Sequence, residues 1–228
     1  MNITLNRLVI SQRARVGGMK WVFKQNAPTA EPYVGGVLSG DMKKGDAIFA
    51  GDFGYYDYEN RLIYHLNQFE LAQDLAAEDT EVYFYDTGFS HRLRSDMFIM
   101  AEPEASDSTG KAVACSSLER TSMTIDSKDM NVYKVTIEAG ALGTASKGDI
   151  FVEAAEAGDA VAPKITKVNC IFKSSEELPV DLTDEDLDNT HGIKTVTPYY
   201  HCTVMANRVF VPKIAPENKC PIDEYYEL

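Results

Sequence analysis

Lys43–Leu66 reads KKGDAIFAGDFGYYDYENRLIYHL, and this stretch decides the fold. Lys44-Gly45-Asp46 makes a turn, and Ala47-Ile48-Phe49-Ala50 is a short apolar run. Gly51 and Gly54 punctuate, Tyr55, Tyr56 and Tyr58 follow, Glu59-Asn60 turns again, and Leu62-Ile63-Tyr64 runs on. Short aromatic and β-branched runs separated by Gly, Asn and Asp are strands joined by tight turns. The opening recurs as Lys147-Gly148-Asp149-Ile150-Phe151-Val152. Neither copy carries a nucleophile, a metal-ligand set or a phosphate loop.

Working outward, the same grammar repeats. Glu81-Val82-Tyr83-Phe84-Tyr85 and Met97-Phe98-Ile99-Met100 read as strands, as do Val113–Leu118, Val132–Ile137, Ile150–Glu153 and Ile165–Phe172. Their spacing is that of an all-β sandwich or barrel. Asn67 with Glu70, followed by Leu71, Ala72, Leu75 and Ala76, predicts a short helix to Ala77, Asn67 serving as its cap. The expected fold is therefore mainly β, sandwich- or barrel-like, with one or two short helices. Pro and Gly punctuation divides the chain into an arm and connector over 1–32, a β-rich domain over 33–104 and a second over 105–228. Ala101–Gly110 is the best linker or exposed loop, and Pro212, Pro216 and Pro221 make the tail irregular.

The chain of 228 residues carries a formal charge of −13, unevenly placed. Residues 1–30 hold Arg7, Arg13, Arg15, Lys20 and Lys24 and no acid, a charge of +5 that leaves −18 on the remainder. An acidic body repels duplex phosphates, so nucleic acid is not an expected partner. The basic arm suits an acidic protein surface, unless its charges are simply solvated on an ordinary strand pair formed by Ile3–Ile10 and Met19–Phe23. No apolar run approaches a membrane span, and the first residues do not read as a signal peptide, so no membrane partner and cytoplasmic synthesis are expected. Cys115, Cys170, Cys202 and Cys220 are far apart and read as free thiols rather than a disulfide scaffold or zinc ribbon.

Each candidate chemistry has a plain competitor. Asp184, Asp186 and Asp188 give D-x-D-x-D, but an EF-hand loop needs Gly at its sixth position and Glu at its twelfth, where Asn189 and Thr195 stand. Thr183 capping a short helix explains the same acids. His65, His91, His191 and His201 are too scattered for a metal set, so neither metal nor cofactor is expected. Asp52, Tyr55, Tyr56, Asp57 and Tyr58 could form a sugar platform, with rings on pyranose faces and carboxylates on hydroxyls. On a strand, though, Tyr56 and Tyr58 would share one face and Tyr55 the other. A hydrolase built from carboxylates gathered by the fold stays open as a third reading.

Three stretches carry a resemblance. They are Lys44–Ala50, Lys147–Ala154 and Pro198–Pro212, the last reading PYYHCTVMANRVFVP. In these the chain resembles virion proteins of tailed bacteriophages, in particular the capsid auxiliary, decoration and head-fibre class. The resemblance implies a non-enzymatic structural subunit, homo-oligomeric, located in the virion and attached to capsid or tail subunits through its ends. The basic arm and the aromatic tail tip Tyr225-Tyr226 are then the expected partner-binding residues.

Overall fold

The computed structural model describes residues 35–39, 42, 46–86, 93–104, 108–173, 176–177, 195–196, 198–199, 202–205, 212–213 and 222–226. Every regular element among them is a strand. The first four are β1 (Gly36–Leu38), β2 (Ala47–Ile48), β3 (Phe53–Asp57) and β4 (Leu62–His65). Next come β5 (Gln68–Glu70), β6 (Glu81–Tyr85), β7 (Phe98–Ala101), β8 (Gly110–Ala114), β9 (Glu119–Ile125), β10 (Lys128–Thr136), β11 (Ile150–Ala154) and β12 (Gly158–Val161). The last five are β13 (Cys170–Ile171), β14 (Glu176–Glu177), β15 (Thr195–Val196), β16 (Cys202–Met205) and β17 (Ile222–Tyr226). The fold is mainly β with a sandwich-like arrangement, as the turn-punctuated sequence requires.

The strands fall into two units. One is built from the two ends of the chain, 1–66 and 167–228, and the other is the contiguous stretch 67–166 between them. In the first unit a sheet runs β13-β3-β4-β1-β15, with β2 paired to β14 and β16 paired in parallel with β17. Tyr56, Ile63, Leu38 and Cys170 point to one side of this sheet and pack with Ile48, Met42, Phe172 and Val196. Gly54 has no room for a side chain, since a Cβ there would lie 2.6 Å from the Tyr64 carbonyl oxygen of the paired strand β4.

The second unit stacks a three-stranded sheet, β6-β10-β9, on a five-stranded one, β12-β8-β7-β11-β5. β6 shows why: its burial alternates, with Val82 and Phe84 in and Glu81, Tyr83 and Tyr85 partly out. Phe84 lies edge-on to Phe151 at 5.2 Å and to Phe69 at 6.3 Å, and these rings centre a core that includes Leu71, Ile99, Tyr133 and Val135. Along one side the two sheets are stitched together, because Leu71 bridges Phe84 and the Ala72 N–H donates to the Tyr83 carbonyl at 2.8 Å.

The helix expected over Asn67–Ala77 is not formed. Gln68–Glu70 is β5, paired with β11, and Leu71 and Leu75 bridge Phe84 and Ala145. The four-residue spacing of Leu71 and Leu75 marks two burial sites on an extended segment, and strand pairing there satisfies the backbone that a helix would have satisfied locally. Asn67, the expected cap, donates its side-chain amide to Glu153 at 2.7 Å instead. Ala101–Gly110 is the connection of the β7–β8 hairpin, so the boundary expected at 104/105 falls inside the second unit. The strands expected at Ile3–Ile10 and Met19–Phe23 and the cap at Thr183 lie outside the described residues.

Candidate interaction surface

The three-stranded sheet of the second unit is apolar on both faces. Its registers fix the sides: Val132 pairs with Tyr85 and Thr121, and Met130 with Met123. One face sends Val82, Phe84, Tyr133 and Val135 into the main core. The other gathers Tyr83, Tyr85, Met123 and Met130 around Val132, Ile125 and Ala72. Val132 is fully buried beneath its neighbours, while the two tyrosines and two methionines are partly exposed and form the surface.

Ion pairs close this patch at both ends. At one end the Lys134 ammonium lies 3.1 Å from Glu81 and 3.3 Å from Glu119, and both contacts raise the Lys134 pKa. The Tyr83 hydroxyl donates to Glu81; this bond leads in lowering the Glu81 pKa, followed by the Lys134 contact, and it leads in raising that of Tyr83, followed by burial. At the other end Lys147 reaches Asp126 at 2.6 Å, and its backbone N–H donates to Asp74 at 2.7 Å. Aromatic and thioether side chains inside a charged rim have the composition of a protein–protein interface core. Chemically the surface offers contact area and rim polarity rather than a reactive group.

β9 forms the outer margin of this sheet, and sequence reasoning missed it. Glu119–Ile125 reads ERTSMTI, mostly exposed and polar, so no hydrophobic alternation announces it. Its signal lies in the turn that follows: Asp126 and Ser127 both have positive φ, 50° and 65°, and join Ile125 to Lys128 as a two-residue hairpin. β12 escaped for the same reason, with three of its four residues exposed.

The five residues of the sugar platform are divided. Tyr56 is buried in the first unit's core with the Tyr58 ring against it at 4.4 Å, and Tyr58 itself is 52% exposed in the following turn. Tyr55 stacks on Tyr64 on the opposite face of the sheet. Asp52 accepts the Phe49 N–H at 2.7 Å and lies 2.9 Å from His65 Nε2, a buried contact beside the Phe172 ring. Asp57 accepts from the Asn60 side chain at 2.7 Å and from the backbone N–H groups of Asn60 and Glu59. The Asn60 side-chain bond leads in lowering its pKa. Both carboxylates are thus occupied in shaping the turns on either side of β3.

Other candidates fall as follows. Arg7, Arg13, Arg15, Lys20 and Lys24 lie outside the described residues, as do His91, His191, His201 and the D-x-D-x-D acids. Tyr225 and Tyr226 sit in β17, in register with Val204 and Met205. Cys115 and Cys170 are free and buried, and burial pushes the Cys115 thiol up to about 12. Among the described residues no three His, Cys, Asp or Glu side chains gather as a metal set, and no helix is long and apolar enough to cross a membrane. Comparison with protein-family models, with curated proteins and with solved structures yields no match to this chain.

Proposed function

We propose that this chain is a non-enzymatic structural subunit of a phage virion, an auxiliary, decoration or head-fibre-type component carried on the capsid or tail. The observation that carries the reading is the two-sided sheet β6-β10-β9, whose outer face presents Tyr83, Tyr85, Met123 and Met130 between ion-pair rims. An apolar face of this kind is a docking surface. The resemblance to virion proteins supplies the kind of assembly that uses it. The acids support the same reading. Asp52 and Asp57 shape turns, Glu153 holds Asn67 and Lys164, and Asp86 holds Arg120. These carboxylates tie the chain to itself, and a glycan platform would need Tyr55, Tyr56 and Tyr58 on one surface. Mass spectrometry of gradient-purified virions tests the proposal. The chain is expected at a fixed ratio to the shell or tail proteins, and its absence from intact particles would remove the reading.

A further inference from the structure

Among the described residues, the stitched side of the second unit leaves two open strand edges, β9 and β12. Open edges offer unpaired N–H and C=O groups, and proteins blunt them with short strands, prolines, bulges or charges. β12 is blunted: it has four residues, and its register with β8 shifts between Gly158 and Val161. β9 is not. It runs seven residues with neither Pro nor Gly and keeps an unbroken register with β10 from Ile125↔Lys128 to Glu119↔Lys134. Its charges sit at one end: Glu119 lies 3.3 Å from Lys134, and Arg120 is folded back onto Asp86 at 2.9 Å and over the Tyr133 ring at 5.5 Å.

We infer that β9 is a pairing edge and that its occupant is β9 of a second copy, antiparallel and centred on Ser122. The backbone geometry sets this register. The two-residue hairpin makes Ile125↔Lys128 a hydrogen-bonded pair, so Thr121, Met123 and Ile125 spend their backbone groups on β10 and Arg120, Ser122 and Thr124 direct theirs outward. Centring on Ser122 overlaps all seven residues and matches outward groups with outward groups.

The side chains agree with it. On the outer face Thr121 meets Met123 of the second copy, which continues the apolar row Tyr85–Val132 across the joint into Met123–Met130. Glu119, beside its own Lys134, meets Ile125 of the second copy, with Lys128 in the next strand of that copy. On the inner face Arg120 meets Thr124 of the second copy, whose hydroxyl is bonded to Asp129 at 2.7 Å. Cation therefore approaches anion on both faces, and no like charges are opposed. The joined sheet, β6-β10-β9-β9-β10-β6, has two-fold symmetry and closes as a dimer. The inference rests on the reading of the chain as an assembly subunit and names one of its contacts.

The test uses the purified full-length chain. Light scattering across a concentration series is expected to give a dimer. Ser122→Lys, which sets two like charges across the two-fold axis, is expected to give a monomer with unchanged circular dichroism and melting. Ser122→Cys should form a covalent dimer under mild oxidation beyond that of the parent chain, because hydrogen-bonded partners have Cα atoms about 5.5 Å apart and disulfides span roughly 4.4–6.8 Å. Thr124→Cys should not, its two copies being about 13 Å apart along the strands. A monomeric parent, a dimeric Ser122→Lys, or equal crosslinking of both cysteine variants would overturn the inference. A chain that dimerises through Ser122 yet is missing from virions would remove the virion reading alone. A monomeric chain found in virions would remove this inference alone.

Discussion

Aspartate does the local work in this chain. Three turns use one device: the Asp side chain accepts the N–H three residues back while its own N–H donates to that residue's carbonyl. Phe49–Asp52, Ala76–Asp79 and Ser146–Asp149 all show it, with side-chain bonds of 2.7, 2.7 and 2.8 Å. Asp149 belongs to the repeated Lys-Gly-Asp motif, so the turn was legible there, whereas the partnership of Asp52 with His65 depends on the β3–β4 pairing and was not. Glycine decides another point. The Cβ of Gly54→Ala would meet a strand carbonyl that cannot turn aside, so this variant is expected to lose about 1–3 kcal/mol of stability, read by chemical denaturation. The buried thiol sets a pH dependence. Folded Cys115 keeps its proton to about 12, against an ordinary value of 9.0, so above the lower value the folded chain binds more protons than the unfolded one. Stability is expected to fall as pH rises through that window, with a limiting slope of about 1.4 kcal/mol per pH unit for the group. Melting scans should show a shallower decline for Cys115→Ala, and equal slopes would contradict the assignment.

At the scale of elements, the strands that sequence revealed are those with apolar alternation, such as β6 and β10. β9 and β12 lack it because an edge strand is wetted and needs few apolar residues. The segment from Asn67 to Ala77 was disguised as a helix, since Leu71, Ala72 and Leu75 satisfy a helical spacing while bonding β6 and the Ala145 segment across the fold. Non-local pairing overrode local pattern there. The β9–β10 turn gives a direct check on the hairpin. Ser127 sits at φ 65° without a stabilising glycine, so Ser127→Gly is expected to raise stability by up to about 1 kcal/mol. A lower melting temperature for that variant would show that the Ser127 side chain contributes more than its backbone conformation costs.

For the whole molecule, the division into units follows from chain connectivity. Residues 67–166 are contiguous and hold their own core, and the flanking segments build the other unit. The isolated segment 67–166 is expected to fold alone, giving a β-type circular-dichroism spectrum and a cooperative melt, and an unfolded spectrum would contradict its autonomy. This arrangement was not legible beforehand, because nothing near Leu66 or Thr166 marks a boundary by composition, while the polar run at Ala101–Gly110 does and proves to be a hairpin connection. The candidate surface was hidden similarly: Tyr83 and Tyr85 were visible as strand residues, but Met123 joins them only through the register of β9. A cryo-electron microscopy reconstruction of the virion gives the most direct test. Density for this chain is expected on the capsid or tail, with β9 of one copy hydrogen-bonded to β9 of a neighbour. A particle whose density is fully assigned without this chain would contradict the virion reading.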